Sequence, residues 1–557
     1  MPLLYLALPL RGKCLLPLVS CACILCVFRI VRRVEDMEYA TRNTRRQDKN
    51  MTITTPEWVK DAVFYQIFPD RFATSTRVSK PSNLEAWDTP PTVFGFKGGD
   101  LPGVAEKLDY LQDLGITAIY FTPIFASTAN HRYHTFDYFS VDPILGGNAA
   151  LRQLLDQAHA RDIRVVLDGV FNHASRGFYQ FNHALENGAA SPYLDWFYFN
   201  DEWLKAGRSL DAYPRKHLRG GGGEASLEQL GYRAWWDMPA LPKLNINTPA
   251  VREFIFDVAK FWIDFGIDGW RLDVPGEIDD DSFWREFRRC VRGANPEAYI
   301  VGEIWDDARR WLQGDQFDAV MNYLFTKVVL SYFIGKEMDL EETRQAGGYQ
   351  HVEPMSQHAF TAAIDSLLAM YNPVVTQVQL NLLDSHDTPR FITCARGDES
   401  ALRLATLFMF TYPGAPCIYY GDEIGLDGRH DPDCRKAFPW DKSRWNHDLR
   451  AYFQRCIALR KAHPALRRGS FEGLLSKNDV YAFARQGEGE TVVVALNLSR
   501  ETRDVSLPVN GIAEGDTVFQ DVWRSDAYPV MQGKLHGLKL APRSGLVLAN
   551  AMRAARD

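Results

Sequence analysis

Phe265-Gly266-Ile267-Asp268-Gly269-Trp270-Arg271-Leu272-Asp273-Val274-Pro275 is the stretch on which the fold turns. Before it, Val251, Phe254, Ile255, Val258, Phe261 and Trp262 make a helical stripe that opens at Thr248-Pro249, a favourable N-cap and first-turn pair. Gly266 ends that helix, and the apolar run after it reads as a buried strand. Helix, glycine and buried strand in that order form the repeating unit of a parallel α/β sheet. Arg271 and Asp273 are two residues apart, so both side chains leave the same face of the strand. Buried charge is costly unless it is paired; a structural ion pair and a functional site both satisfy that condition.

The unit recurs along the chain. Strand-like runs fall at 62–68, 116–125, 164–171, 299–304, 319–323, 378–383 and 417–421, with helical stripes between them, such as Val104, Leu108, Leu111 and Leu114 ahead of Gly115. Eight strands with intervening helices predict an α/β fold, a (β/α)8 TIM barrel over 51–173 and 242–465. Residues 174–241 are too long for a strand-to-helix connection and carry Gly220 to Gly223, which predicts a short inserted domain after the third strand. From 466 the pattern changes to short strand-like runs, among them 480–483 and 491–496, separated by turn residues. That end, 466–557, reads as a C-terminal antiparallel β-sandwich.

The composition excludes several partners. The 557 residues carry a formal charge of −7 and no basic block in the globular part, which argues against nucleic acid. Aromatic residues make up 13% of the chain, enough to line a carbohydrate cleft as well as a core. Residues 1–50 differ from the rest, with nine Lys and Arg against four Asp and Glu. The uncharged run 14–28 is shorter than the ~20 residues that span a bilayer. Three readings of this extension stay open: a membrane anchor, a signal peptide, or a true start at Met51. Five scattered cysteines outside it, Cys290, Cys394, Cys417, Cys434 and Cys456, have no metal-ligand spacing and point to a reducing, cytoplasmic setting.

In a TIM barrel the reacting groups come from the C-terminal ends of the strands. Asp168, Asn172 and His173 follow the third strand, Arg271 and Asp273 the fourth, Glu303 the fifth, and His386 and Asp387 the seventh. Taken singly, Asp168 reads equally well as a helix cap and His173 as a core histidine. Carboxylates converging from four strand ends repel one another, and such crowding points to a task.

The segments 168–173, 269–273, 301–305 and 383–387, with sequences DGVFNH, GWRLD, VGEIW and LDSHD, resemble in order the four diagnostic segments of the α-amylase family. The likeness extends over 58–557. It implies retaining hydrolysis of α-glucosidic bonds, with Asp273 as nucleophile, Glu303 as general acid and base, and Asp387 gripping and distorting the sugar. It further implies that His173 and His386 hold the same glucose, that Tyr138 is the aromatic platform beneath it, and that Asp168 orients Arg271. Met238-Pro239-Ala240-Leu241-Pro242-Lys243-Leu244-Asn245 and Asp431-Pro432-Asp433-Cys434-Arg435-Lys436 resemble the branch of neopullulanases, cyclomaltodextrinases and maltogenic amylases. Glu277 then serves the acceptor side, and Asp433 and Arg435 bind glucose units further along the non-reducing side. No cofactor is implied. The loop 70–76 lacks the Asn/Asp-rich run that holds calcium in many relatives, so a calcium ion is compatible with Gly99 and Asp100 without being called for. A transglycosylase would use the same intermediate with a sugar hydroxyl in place of water. A non-catalytic, membrane-anchored amylase-like subunit would lack the carboxylates that this chain retains.

Overall fold

The computed structural model describes residues 53–216, 218, 225–513 and 517–550. The three readings of residues 1–50, and the glycine run at 220–223, lie outside the described residues. No helix of the described residues is long and apolar enough to cross a membrane.

Eight short parallel strands form the barrel: β1 (Phe64–Ile67), β2 (Ala118–Phe121), β3 (Arg164–Gly169), β4 (Gly269–Leu272), β5 (Tyr299–Gly302), β6 (Ala319–Val320), β7 (Leu380–Leu382) and β8 (Ala415–Tyr419). They pair in the order β6-β5-β4-β3-β2-β1-β8-β7, and a parallel bridge from Met321 to Leu380 joins the two ends into a closed ring. Each of the eight expected strands is present and wholly buried, apart from the first residue of β3.

The opening stretch folds as its sequence reads. Helix Pro249–Asp264 ends at Gly266, whose φ of 108° is a conformation that favours glycine. Gly269 then enters β4 against β5, where a Cβ would lie 2.4 Å from the carbonyl oxygen of Tyr299. Thr248 occupies the N-cap position but does not cap. Its hydroxyl instead donates to the backbone carbonyl of Asp195 at 2.5 Å, fastening the segment after β3 to the start of the helix.

Two features outside the ring shape its C-terminal mouth. A two-stranded hairpin, Phe125–Ser127 with Thr135–Val141, follows β2. The segment after β3 folds back on itself and returns to the end of β3 through antiparallel bridges His173–Lys243, Phe197–Leu244 and Phe199–Tyr232.

Beyond the barrel, strands β9 (Ser470–Lys477), β10 (Val480–Gly487), β11 (Glu490–Asn497), β12 (Arg503–Pro508), β13 (Val518–Asp521), β14 (Ala527–Met531), β15 (Lys534–Leu540) and β16 (Ser544–Asn550) form one antiparallel sheet ordered β9-β10-β11-β16-β13-β14-β15-β12. The sheet buries its own core, including Val493, Leu507, Phe519, Leu535 and Leu548. Strand alternation lets β10 serve two cores: Val480, Ala482 and Ala484 face this one, while Tyr481 and Phe483 join the barrel's. Phe483 sits 5.8 Å from Phe408, and Tyr481 5.0 Å from Phe360, both on barrel helices.

Candidate active site

The register of β3, β4 and β5 builds the centre of the mouth. Asp168 pairs across the sheet with Arg271, and Gly169 and Leu272 pair one step further on. Arg271 is fully buried, and its guanidinium is shared among carboxylates from three strands. Its Nη1 donates to both oxygens of Asp168 at 2.8 and 2.9 Å and to Oδ1 of Asp273 at 3.0 Å, while Nη2 lies 2.8 Å from Oε2 of Glu303. The sulfur of Met321, 3.4 Å from Nε, closes the remaining side.

Glu303 is held at both oxygens. Trp305 Nε1 donates to Oε1 at 3.0 Å, and the backbone N–H of Val274 donates to Oε2 at 3.0 Å. Val274 has φ 36° and ψ 50°, a left-handed conformation that is strained for a β-branched residue. This twist follows directly on Asp273 and delivers the amide to Glu303, so one peptide joins the two carboxyls. The Trp305 ring lies flat on Tyr323 at 3.7 Å, and the Tyr323 hydroxyl is 3.1 Å from Ser385 Oγ, which accepts the backbone N–H of Asp387 at 3.2 Å.

Burial pushes the carboxyls of Asp273, Glu303 and Asp168 upward, while Arg271 opposes the shift in all three. Asp387 adds to the rise at Glu303. One guanidinium is shared by three buried carboxyls, so burial favours the protonated form within the cluster.

His386 is buried, with Nδ1 2.8 Å from the amide nitrogen of Gln66 and Nε2 2.5 Å from the Tyr133 hydroxyl. Its Nε2 is also 3.1 Å from Asp387 Oδ2. Burial, with Arg435 and Arg271 nearby, keeps this imidazole neutral by holding its pKa well below the usual histidine range. His173 is pushed down to about 3, again by burial first and His134 second, and its ring stacks on Trp235 at 5.0 Å. Arg435 donates to the carbonyl of His386 at 2.8 Å and to Asp387 Oδ1 at 3.2 Å. Glu277 lies on the rim, half-exposed, where Lys243 donates to its backbone carbonyl at 2.9 Å and to Asn172 at 2.7 Å.

Two expected site residues fall elsewhere. Tyr138 is 1% exposed, its ring packed among Phe171, Phe178 and Phe254 and its hydroxyl donating to the backbone carbonyl of His173 at 2.8 Å. It belongs to the core because strand Thr135–Val141 turns Thr135, Tyr138 and Val141 inward. The tyrosine of the mouth is Tyr133, in the hairpin turn. It is partly exposed, stacks on His386 at 5.5 Å, and donates its hydroxyl to Asp168 at 3.0 Å. Asp433 turns outward to Lys436 at 3.3 Å and to the backbone N–H of Arg429. Asp431, two residues earlier, pairs with Arg435 at 3.0 Å. The signals that mark the right residues are the turn position of Tyr133 between His131 and His134, and the i,i+4 spacing of Asp431 to Arg435.

Asp70 and Asp100, the acidic residues nearest the calcium question, are engaged by donors. Asp100 takes Lys80 Nζ at 2.7 Å together with N–H and hydroxyl donors from Ser75 and Gly103. Asp70 accepts the amides of Lys97 and Gly98 and pairs with Arg71 and Arg132. With ammonium and guanidinium groups on these oxygens, the residues present do not fit calcium.

Residues 66–468 match the alpha amylase catalytic domain, and 471–548 match the neopullulanase-like C-terminal domain. The chain belongs to the α-amylase family of glycosidases. Within that family it falls in the neopullulanase and cyclomaltodextrinase-like branch. A cyclomaltodextrinase of a Bacillus species is 45% identical over 79% of this chain and 73% of its own length. Neopullulanase 2 of Thermoactinomyces vulgaris is 42% identical over 90% of this chain and 80% of its own. The crystal structure of Ttha1563 from Thermus thermophilus superposes with a TM-score of 0.82 at 47% identity, covering 89% of this chain and all of that one. The debranching enzyme of Nostoc punctiforme gives 0.78 at 44% identity, with the same coverage.

Proposed function

We propose that this chain hydrolyses α-1,4-glucosidic bonds, with α-1,6 bonds as a second target, in maltodextrins, cyclodextrins or pullulan, with retention of anomeric configuration. The observation that carries the proposal is the binding of Asp273 and Glu303 to one guanidinium, at 3.0 and 2.8 Å. Two carboxyls on one fork favour the ~5–5.5 Å spacing of retaining glycosidases over the ~6.5–9.5 Å that leaves room for an attacking water.

Glu303 protonates the glycosidic oxygen as the C1–O bond breaks, and Asp273 attacks C1 from the opposite face to form a glycosyl-enzyme ester. Water then adds to C1 as Glu303 takes back a proton, and the ester bond to Asp273 breaks. Burial and then Asp387 push the Glu303 carboxyl upward, which favours the protonated form the first step needs. Arg271 favours the ionised form of Asp273, and Asp168 holds Arg271 in place. Asp387, His386 and His173 bind the hydroxyls of the glucose in the mouth, with Tyr133 as its aromatic floor. Arg435 with Asp431 extends the grip toward the non-reducing end, and Glu277 serves the acceptor side. Relatives named intracellular maltogenic amylase, 39% and 40% identical, support a cytoplasmic setting.

The test is a product profile over maltotriose, cyclodextrin, pullulan and starch, with NMR detection of the first anomer released. The α-anomer is expected. Release of the β-anomer overturns retention, and a lack of turnover on all four overturns the proposal.

A further inference from the structure

A second cavity, of about 400 Å³, opens at the seam between the barrel helices and the C-terminal sheet, and none of its lining residues belongs to the mouth. Its wall carries Arg403, Arg455, Arg524, Lys539 and Arg543. That concentration of positive charge stands out in a chain of net −7. Arg543 is committed to Asp398, Ser400 and two backbone carbonyls, and Arg403 is bound to Glu399. Arg455, Arg524 and Lys539 make no ion pair among the described residues. The one lining carboxylate, Asp521, is 4% exposed and accepts the backbone N–H groups of Trp523 and Arg524 at 2.8 and 3.1 Å. It does not serve as counter-ion to the guanidinium heads.

Of the exposed Arg455, Arg524 and Lys539, Arg455 is partly pre-positioned, lying over Trp523 at 4.6 Å. A guanidinium held on an aromatic face loses less freedom when it binds an oxyanion, and its planar fork matches a phosphate. Tyr452 and Trp523, together with Leu540 and Leu546, give the cavity an apolar side that a bare ion would leave unused. The volume falls within the ~300–1,000 Å³ of small-molecule sites.

We propose that this seam cavity binds a phosphate monoester carried on a ring-bearing metabolite, with Arg455, Arg524 and Lys539 on the phosphate and the aromatic and leucine side chains against the ring. Occupancy bridges a barrel helix, His447–Ala462, and the C-terminal strands. Ligand therefore stabilises the folded chain by RT ln(1 + L/Kd), with L the free ligand concentration.

Thermal unfolding of the full chain is followed with glucose 6-phosphate, AMP or inorganic phosphate, at ionic strength matched with sodium chloride. A rise in Tm with one of the esters that grows with the logarithm of its concentration above Kd, and exceeds that with inorganic phosphate, is expected, and the responding ester identifies the carrier as sugar or nucleoside. Arg455→Ala/Lys539→Ala should weaken the apparent Kd about tenfold or more. Arg524→Ala, which removes a side chain with no ion pair, should weaken it in the same sense. Both variants should keep wild-type maltodextrin turnover, which shows that they fold. Equal shifts with esters and inorganic phosphate, no shift with either ester, or a shift that survives both variants overturns the proposal.

Discussion

The catalytic mouth and the seam carry charge imbalances of opposite sign. In the mouth, one buried guanidinium faces the carboxyls of Asp168, Asp273 and Glu303. In the seam, Arg403 and Arg543 have carboxylate partners in Glu399 and Asp398, while Arg455, Arg524 and Lys539 line the cavity with no ion pair among the described residues. Carboxyls can resolve their excess internally, because burial raises their pKa and favours proton uptake, and a retained proton is what general acid catalysis needs. Arginines have no such exit, since they do not deprotonate in proteins. An excess of them must face water or meet an anion. The mouth is thus a self-contained device, whereas the seam's exposed Arg455, Arg524 and Lys539 face water until an anion joins them.

The largest expected effect breaks the mouth alone. Glu303→Gln removes the proton donor and should lower kcat on maltotriose by about 10²–10⁴-fold, while Arg524→Ala in the seam leaves kcat unchanged. A comparable loss in both would dissolve the contrast. Next comes Arg271→Met, which leaves the carboxyls without their counter-charge. It should cost about 3–5 kcal/mol of stability at pH 7 in urea unfolding, as breaking other buried pairs does. The deficit should shrink as pH falls and the carboxyls take up protons.

A smaller effect separates histidines from carboxyls inside the mouth. His173 is held down to about 3, so below the unfolded value near 6.5 the unfolded chain binds a proton that the folded one refuses. Stability from this group is complete above pH ~6.5 and falls as pH drops, by about 2 kcal/mol at pH 5. The raised carboxyls act in the opposite sense, so the quantity to measure is the loss in wild type minus that in His173→Asn between pH 7 and pH 5. The smallest effect marks where the mouth ends. Tyr138→Phe should cost about 1 kcal/mol through its lost hydrogen bond, with kcat/KM retained. Tyr133→Ala should lower kcat/KM by about tenfold, the scale of a lost sugar-stacking and hydrogen-bonding side chain.

Strand ends were the readable part of this sequence. Asp168, Arg271, Asp273, Glu303 and Asp387 each sit at or just after a buried apolar run, and strand geometry alone decides where such residues emerge. The eight barrel strands were legible for the same reason. Loops hid the rest. Tyr133 and Tyr138 are both tyrosines of one hairpin, and which of them faces the mouth depends on where the turn ends and on register shifts that break strand alternation, so that Thr135, Tyr138 and Val141 turn inward. Asp431 and Asp433 differ by two residues in a loop without a periodic frame to orient them. The seam cavity had no sequence signature, because its cations come from residues 403 to 543 and converge only when the C-terminal sheet packs against the barrel. Thr248 shows the limit of local rules: a good capping residue gave its hydroxyl to a carbonyl from another segment.

Strand β10 has a consequence for how the molecule comes apart. With Tyr481 and Phe483 in one core and Val480, Ala482 and Ala484 in the other, neither core can be opened without exposing part of its neighbour. The two folding units are therefore coupled through a shared wall, and calorimetry should record one cooperative melting event rather than two. Chains cut ahead of residue 470 should leave Phe360, Phe408 and Tyr412 uncovered on the barrel and aggregate.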